Sequence, residues 1–222
     1  MKQTPSATTP NASGPVSLIP PEHRPQEQAA LHDDPDGSSG SHSDFTRMDE
    51  STHEQWHTIA LATLAHQPQV GKRMIEMLRS FDGVRLGFGV DQLHHMLQTA
   101  TMAKRANASD ELVLCALLHD VGKYVSIINH GQIAAEMLKP YVSRDAYHIV
   151  RTHQDFQGRH YYQHFGMEQN LRERHRDEPW FDLAQVFTDE WDQAAFDPHY
   201  KVLPLGEFEP LVHQFFGRYP GS

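Results

Sequence analysis

The sequence is poor in three features that would define other classes of protein. It contains a single cysteine, so one chain cannot form an internal disulfide, and this favours a reducing compartment. It has no apolar run of about 18 residues and no apolar signal core near its start. Its net charge is −10 and it carries no basic stripe, which argues against a general nucleic-acid-binding protein. We therefore expect a soluble cytoplasmic protein with no membrane or nucleic-acid partner.

Residues 1–50 differ in composition from the rest of the chain. They hold seven of the fourteen prolines, many serines and threonines, and three basic against eight acidic residues. Such a segment cannot bury enough apolar surface to offset the entropy lost on ordering it. We predict that residues 1–50 form a disordered acidic tail and that residues 51–222 form one helical domain.

Apolar residues beyond position 50 recur at helical spacing. No stretch alternates with a period of two for long enough to form a sheet, so the predicted fold class is all-α. Pro68 interrupts the first helical region, while Asp91 and Ser143 stand where helix N-caps are expected. We predict later helices over about 92–104, 109–122, 133–138, 143–153, 156–173, 180–196 and 208–216.

The most informative stretch is LVLCALLHDVGK, residues 112–123. A mostly apolar run, which includes Cys115 as a small core residue, leads directly into His119 and Asp120, and Gly122 closes the segment. Burying an imidazole and a carboxylate is costly unless each finds a partner. A cation bound near the end of the helix would be a partner for both. The alternative is a capped helix whose His119 and Asp120 face water.

Further candidate metal ligands lie on the neighbouring predicted helices. A lone helical histidine is more often a hydrogen-bonded core or surface residue, but the joint occurrence of several around one His–Asp pair indicates a shared metal site. His94 competes with its neighbour His95, and Asp189 and Asp197 compete with Asp192, because spacing alone cannot choose between them. The candidates are His95, His119, Asp120, His130, His153 and Asp192.

The order His95, His119–Asp120 and Asp192 resembles the HD-domain superfamily of metal-dependent enzymes, over about residues 83–216. LCALLHDVGK is the most recognisable segment. QLHHMLQTATMA resembles the first-histidine helix of the oxygenase branch, which places the ligand at His95 rather than His94. NHGQIAAEML and RTHQDF contain His130 and His153, which match two further histidines of that branch. The branch includes myo-inositol oxygenase and the hydroxyphosphonate-cleaving oxygenases, which hold two irons with four histidines and two aspartates.

The resemblance implies a helical enzyme with two iron ions, bridged here by Asp120; imidazole and carboxylate donors are also compatible with manganese or zinc. Lys123 falls where myo-inositol oxygenase has a substrate-binding lysine. The implied reaction uses dioxygen to abstract hydrogen from, and oxidatively cleave, a small polar or anionic substrate. Lys123 and Arg85 would neutralise an anionic group. As a departure from the pattern, Arg85 and Phe88 stand where the phosphonate enzymes carry tyrosine and glutamate.

Two other functions remain open at this stage. HDxGK is also common among HD phosphohydrolases, so the same residues are compatible with metal-dependent hydrolysis of a phosphate ester. A third interpretation is a non-catalytic helical module, stabilised by metal, that binds a partner through the acidic tail.

Overall fold

The computed structural model describes residues 43–217. All regular elements in this range are helical, which confirms the predicted all-α class. Among the same residues, every helix falls short of the length and hydropathy that a bilayer-spanning segment needs. The α-helices are α1 (His53–Ala65), α2 (Gln69–Arg79), α3 (Gln92–Arg105), α4 (Asp110–Leu118), α5 (His130–Leu138), α6 (Arg144–Tyr161), α7 (Phe181–Val186) and α8 (Glu209–Phe216).

The chain divides into two compact units. The first ends at Ala62 and the second begins at Thr63. The predicted disordered tail, residues 1–50, lies for the most part outside the described residues. Its last part contains a short 3-10 turn, Met48–Glu50. The disorder of the tail therefore stays a prediction.

Helix α4 lies at the centre of the second unit. Every residue from Leu112 to Leu118 is buried, including Cys115. Helices α3, α6 and α8 all contact α4. Because α4 is enclosed from Leu112 to its end, His119 and Asp120, which follow it directly, are also held inside the protein rather than at its surface.

The helix N-termini follow the local sequence closely. Asp91, Ser109 and Ser143 each accept a hydrogen bond from a backbone N–H three residues further on, as expected of N-caps. The break between α1 and α2 includes Pro68, which precedes the first residue of α2. These caps mark where α3, α4 and α6 begin.

Four predicted helices differ from the observed elements. The predicted helix 109–122 ends at Leu118 and is followed by a 3-10 turn, Val121–Tyr124. The prediction ended one helix at His153 and began another at Phe156, whereas α6 runs unbroken to Tyr161 because no helix-breaking residue intervenes. Beyond it, the chain forms two 3-10 turns, Tyr162–Phe165 and Leu171–His175, instead of a helix. The predicted helix 180–196 is the short α7 followed by a π-helical segment, Phe187–Asp192. Such wider turns are frequent at functional sites.

Candidate metal centre

The six predicted ligands converge beside the C-terminal end of α4. They come from α3, from the end of α4, from the start of α5, from α6 and from the end of the π-helical segment. None is more than 5% exposed. The six side chains are those of His95, His119, Asp120, His130, His153 and Asp192.

Four donor atoms form the first group. The Nε2 atoms of His95 and His119 lie 3.2 Å apart, and each lies 3.3 Å from Asp192 Oδ1. Asp120 Oδ2 completes the group at 3.4 Å from His95 Nε2 and 3.5 Å from His119 Nε2. His95, His119 and Asp192 thus bring three donor atoms together, and Asp120 Oδ2 faces the same two imidazoles.

Three donor atoms form the second group. The Nε2 atoms of His130 and His153 lie 3.2 Å apart. Asp120 Oδ1 lies 2.9 Å from the first and 3.6 Å from the second. The two oxygens of Asp120 thus face different pairs of imidazoles, as the oxygens of a bridging carboxylate would.

The spacing of the donors fits bound cations. Metal–ligand bonds of about 2.0–2.2 Å place neighbouring donors about 3.0 Å apart at right angles and about 3.5 Å apart at tetrahedral angles. The distances within the two groups run from 2.9 to 3.6 Å. Each group therefore has the dimensions of one ion's set of ligands, with Asp120 common to both.

Each imidazole is oriented by a backbone carbonyl at its other nitrogen. Since a carbonyl only accepts hydrogen bonds, the proton of each neutral ring lies on Nδ1, and the lone pair of Nε2 points into the site. In each group two such lone pairs face each other at 3.2 Å, an arrangement that a shared cation makes favourable. The Nδ1 contacts are His95 to Ala195 O at 3.0 Å, His119 to Ala116 O at 2.9 Å, His130 to Ile127 O at 2.7 Å and His153 to Val150 O at 2.7 Å.

The two aspartates are held in the charged form. Burial alone would raise their pKa values, but His119 and His95 lower the pKa of Asp192, and His119 and Lys123 lower that of Asp120. Burial likewise disfavours charge on His95, yet Asp120 and Asp192 outweigh it and raise its pKa to about 9. The site therefore attracts positive charge, which a metal ion or a proton can supply.

Helix α6 contacts the π-helical segment at two residues, Asp192 and Asp189. Gln157 Nε2 donates a hydrogen bond to Asp192 Oδ1 at 2.9 Å, while Asp192 Oδ2 is buried without a hydrogen-bond partner among residues 43–217. One turn further along α6, His160 Nε2 lies 2.8 Å from Asp189 Oδ1. The buried Arg172 donates from Nη1 to both oxygens of Asp189, at 3.1 and 2.9 Å. We call Arg172, Asp189 and His160 the Asp189 clamp.

The competing candidates lie outside the two groups. His94 is half-buried, and its Nε2 faces the backbone carbonyl of Asp197 at 3.3 Å. Asp189 belongs to the clamp and Asp197 is exposed. Spacing alone could not have separated His94 from His95; the choice follows from which side of α3 packs against α4.

Lys123 borders the first group. Its Nζ donates to Asp120 Oδ2 at 2.5 Å and to Gln92 Oε1 at 2.8 Å, and its side chain is 14% exposed. Arg85, expected to neutralise an anionic group, instead donates from Nη1 to Gly89 O at 2.9 Å in an exposed loop.

An aromatic stack covers His95. The ring of Phe196 lies on the imidazole of His95, with 4.5 Å between centroids, and Phe88 stacks on Phe196 at 5.0 Å. Phe187 meets His119 edge-on at 5.9 Å. Phe196 and Phe187 therefore shield His95 and His119 from water on the side where these two rings pack.

The sequence-based reasoning missed Gln92 and Arg172. Arg172 belongs to no recognisable motif, and Gln92 opens the QLHHMLQTATMA segment without being one of its expected ligands. Both act through contacts with residues distant in sequence. A buried arginine gives no periodic signal of its own. Gln92 does stand three residues before His95, on the same side of α3, and this spacing was the available clue.

Comparison with known families identifies an HD domain at residues 93–193, just under half of the chain. All six converging side chains and Lys123 lie within this range. The match supports the HD superfamily, whose members are mostly metal-dependent enzymes, without distinguishing the oxygenase branch. No curated protein matches the sequence.

Proposed function

We propose that the protein is a di-iron oxygenase that acts on a small polar or anionic substrate with dioxygen. The observation that carries this proposal is the division of six buried donors into two groups that share the Asp120 carboxylate, with two imidazoles in each. Four nitrogen donors favour iron, manganese or zinc over magnesium or calcium. The motifs that resemble the oxygenase branch give the preference for iron.

The two groups would hold the irons unequally. The first offers four protein donors, from His95, His119, Asp192 and Asp120, whereas the second offers three, from His130, His153 and Asp120. For six-coordinate ions, the second group leaves more positions for further ligands. Bound iron would supply the redox chemistry with dioxygen that the side chains themselves lack.

The residues around the donors would bind and orient the substrate. The partly exposed Lys123 ammonium is placed to bind an anionic substrate group next to the first donor group. Phe196 and Phe187 exclude water beside His95 and His119, which strengthens electrostatic interactions within the site. Gln157 holds Asp192 in one orientation during turnover.

The test is aerobic and anaerobic turnover of protein purified without oxygen. We expect close to two irons per chain, an EPR signal from a coupled pair after partial oxidation, and oxygen uptake with small alcohols or hydroxyphosphonates. Protein that carries two irons but takes up no oxygen with any of these compounds would contradict the oxygenase proposal.

A metal-dependent phosphohydrolase is the second candidate, because the HD match and the HDVGK segment fit that activity equally well. Here the same metals would lower the pKa of bound water and polarise a phosphoryl oxygen. Release of phosphate from nucleotides, at the same rate with and without oxygen, would favour this function over the first.

A further inference from the structure

Gln92 has a buried hydrogen-bond donor that no described residue satisfies. It is the first residue of α3 and is fully buried. Its Oε1 accepts a hydrogen bond from Lys123 Nζ at 2.8 Å. Its Nε2 is enclosed and has no hydrogen-bond partner within residues 43–217. Buried polar groups in folded proteins are nearly always paired, so this amide calls for an acceptor.

The orientation of the Gln92 amide follows from its neighbour. The two ends of a glutamine amide look alike, but a lysine ammonium only donates hydrogen bonds. The end that faces Lys123 must therefore be the oxygen. The two hydrogens of Nε2 are left pointing away from Lys123 Nζ, and the acceptor they need cannot be that lysine.

The unpaired amide lies next to the proposed reaction site. Lys123 Nζ bonds both to Gln92 Oε1 and to Asp120 Oδ2, and the latter atom faces His95 and His119. Gln92 is enclosed while Lys123 is partly exposed and Tyr124 after it is exposed. A ligand would have to approach the amide from the side of the partly exposed Lys123.

We propose that Gln92 is a substrate-binding residue whose Nε2 donates a hydrogen bond to an oxyanionic oxygen of the substrate, beside the Lys123 ammonium. The inference rests on the proposed function, because it places the substrate at the same site. One charged and one neutral donor on adjacent side chains suit two oxygens of one carboxylate, phosphonate or phosphate group. With two divalent ions bound, their positive charge would exceed the negative charge of Asp120 and Asp192. This excess also favours binding of an anion.

A purely positioning role for Gln92 makes a different prediction. If Gln92 only orients Lys123, Gln92→Glu should preserve function, because a carboxylate accepts from the lysine at least as well. If Nε2 binds substrate, Gln92→Glu removes the donor and places a negative charge against the oxyanion. Gln92→Met removes both the acceptor and the donor. The glutamate variant therefore separates the two roles.

The experiment is anaerobic titration calorimetry on iron(II)-loaded protein freed of excess metal, with inorganic phosphate and acetate as separate probes. Metal content is measured for every variant. We expect the wild type to bind at least one probe, Gln92→Glu to weaken that binding at least tenfold, and Gln92→Met to weaken it as well, all with two irons per chain. The exposed Gln132→Glu on α5 makes the same charge change away from the site and should bind as the wild type does.

The two probes distinguish the source of the oxyanion: binding of phosphate indicates a phosphonate or phosphate group, and binding of acetate indicates a carboxylate. Wild-type affinity in Gln92→Glu, or no binding of either probe by the wild type, would overturn the proposal. This experiment does not measure oxygen uptake. A negative oxygenase assay would therefore leave anion binding by Gln92 intact, and a negative binding result would leave the oxygenase proposal intact.

Discussion

The Nε2 atoms of His130 and His153 lie 3.2 Å apart, while the Nδ1 atom of each ring faces a backbone carbonyl at 2.7 Å. Two lone pairs so placed repel each other unless a cation lies between them. The same pairing recurs between His95 and His119. Each donor group thus contains a pair of imidazoles whose Nδ1 atoms face backbone carbonyls, and Asp120 lies between the two pairs.

Removing one imidazole should empty one half of the site. We expect His130→Ala and His153→Ala each to lower the metal content from about two ions per chain to about one, because the first group of donors is left intact. The helical CD spectrum should be largely kept. The exposed His164→Ala is the control and should retain both ions. Both variants binding two ions with wild-type affinity would contradict the second group.

Gly122 lets the start of α5 approach the turn that follows His119 and Asp120. A Cβ at this position would lie 2.1 Å from the carbonyl oxygen of His130, a backbone atom that cannot turn aside. Gly122→Ala should therefore displace His130, loosen the second metal ion and lower the free energy of unfolding by about 1–3 kcal/mol or more. Metal titration and urea unfolding measure the two effects.

Gly89→Ala is the matched control for that substitution. A Cβ there meets nothing within 4 Å, and the residue has no positive φ. It should leave both metal binding and stability unchanged. A Gly122→Ala protein that behaves like Gly89→Ala would show that His130 does not depend on this close approach.

The Asp189 clamp should affect how tightly the first donor group binds its metal ion. Asp189→Asn weakens the contact with the buried Arg172 and should cost about 1–3 kcal/mol, since a buried charge loses its ionic partner. Because the π-helical segment also carries Asp192, affinity should fall for one ion only. Equal loss of both ions, or of neither, would argue against a positioning role.

The clamp also predicts a dependence on pH. Burial raises the pKa of Asp189, but His160 and Arg172 outweigh it and hold the pKa below its usual range. Its stabilising contribution is therefore present above the unfolded-state value of about 3.9 and is lost as the pH falls through the lower folded value. The difference in thermal midpoint between wild type and Asp189→Asn should shrink on acidification below about pH 4. A constant difference would contradict the ionic contact.

Deleting residues 1–50 distinguishes an enzyme from an interaction module. Their composition predicts little buried surface, so metal content and turnover should persist without them. Loss of the protein's biological activity with metal binding intact would instead favour the module that acts through its tail.

The sequence predicted the helical class, the N-caps and the convergence of the histidines and aspartates, since these depend on local spacing and on a recognisable motif. It did not predict the π-helical turn before Asp192, because that turn depends on packing between distant segments. The unbroken α6 could have been predicted, since no helix-breaking residue separates His153 from Phe156. Arg172 gave no signal in the sequence, because its contact with Asp189 joins segments that only the fold brings together. Ligand roles stay a proposal that metal binding must test.

Asp120 is the residue on which the dinuclear proposal depends. Two unit charges at 4 Å repel by about 4 kcal/mol at an effective dielectric near 20, and divalent ions by more. The charge of Asp120, shared between both groups, offsets this repulsion. Asp120→Asn keeps the shape of the side chain but removes the charge, whereas Asp192→Asn affects the first group alone.

The most direct measurement is the iron content of these two variants, purified without oxygen and compared at equal protein concentration. We predict that Asp120→Asn loses both irons while keeping its helical CD spectrum, and that Asp192→Asn keeps about one. Retention of two irons by Asp120→Asn would contradict the shared carboxylate, and with it the dinuclear site.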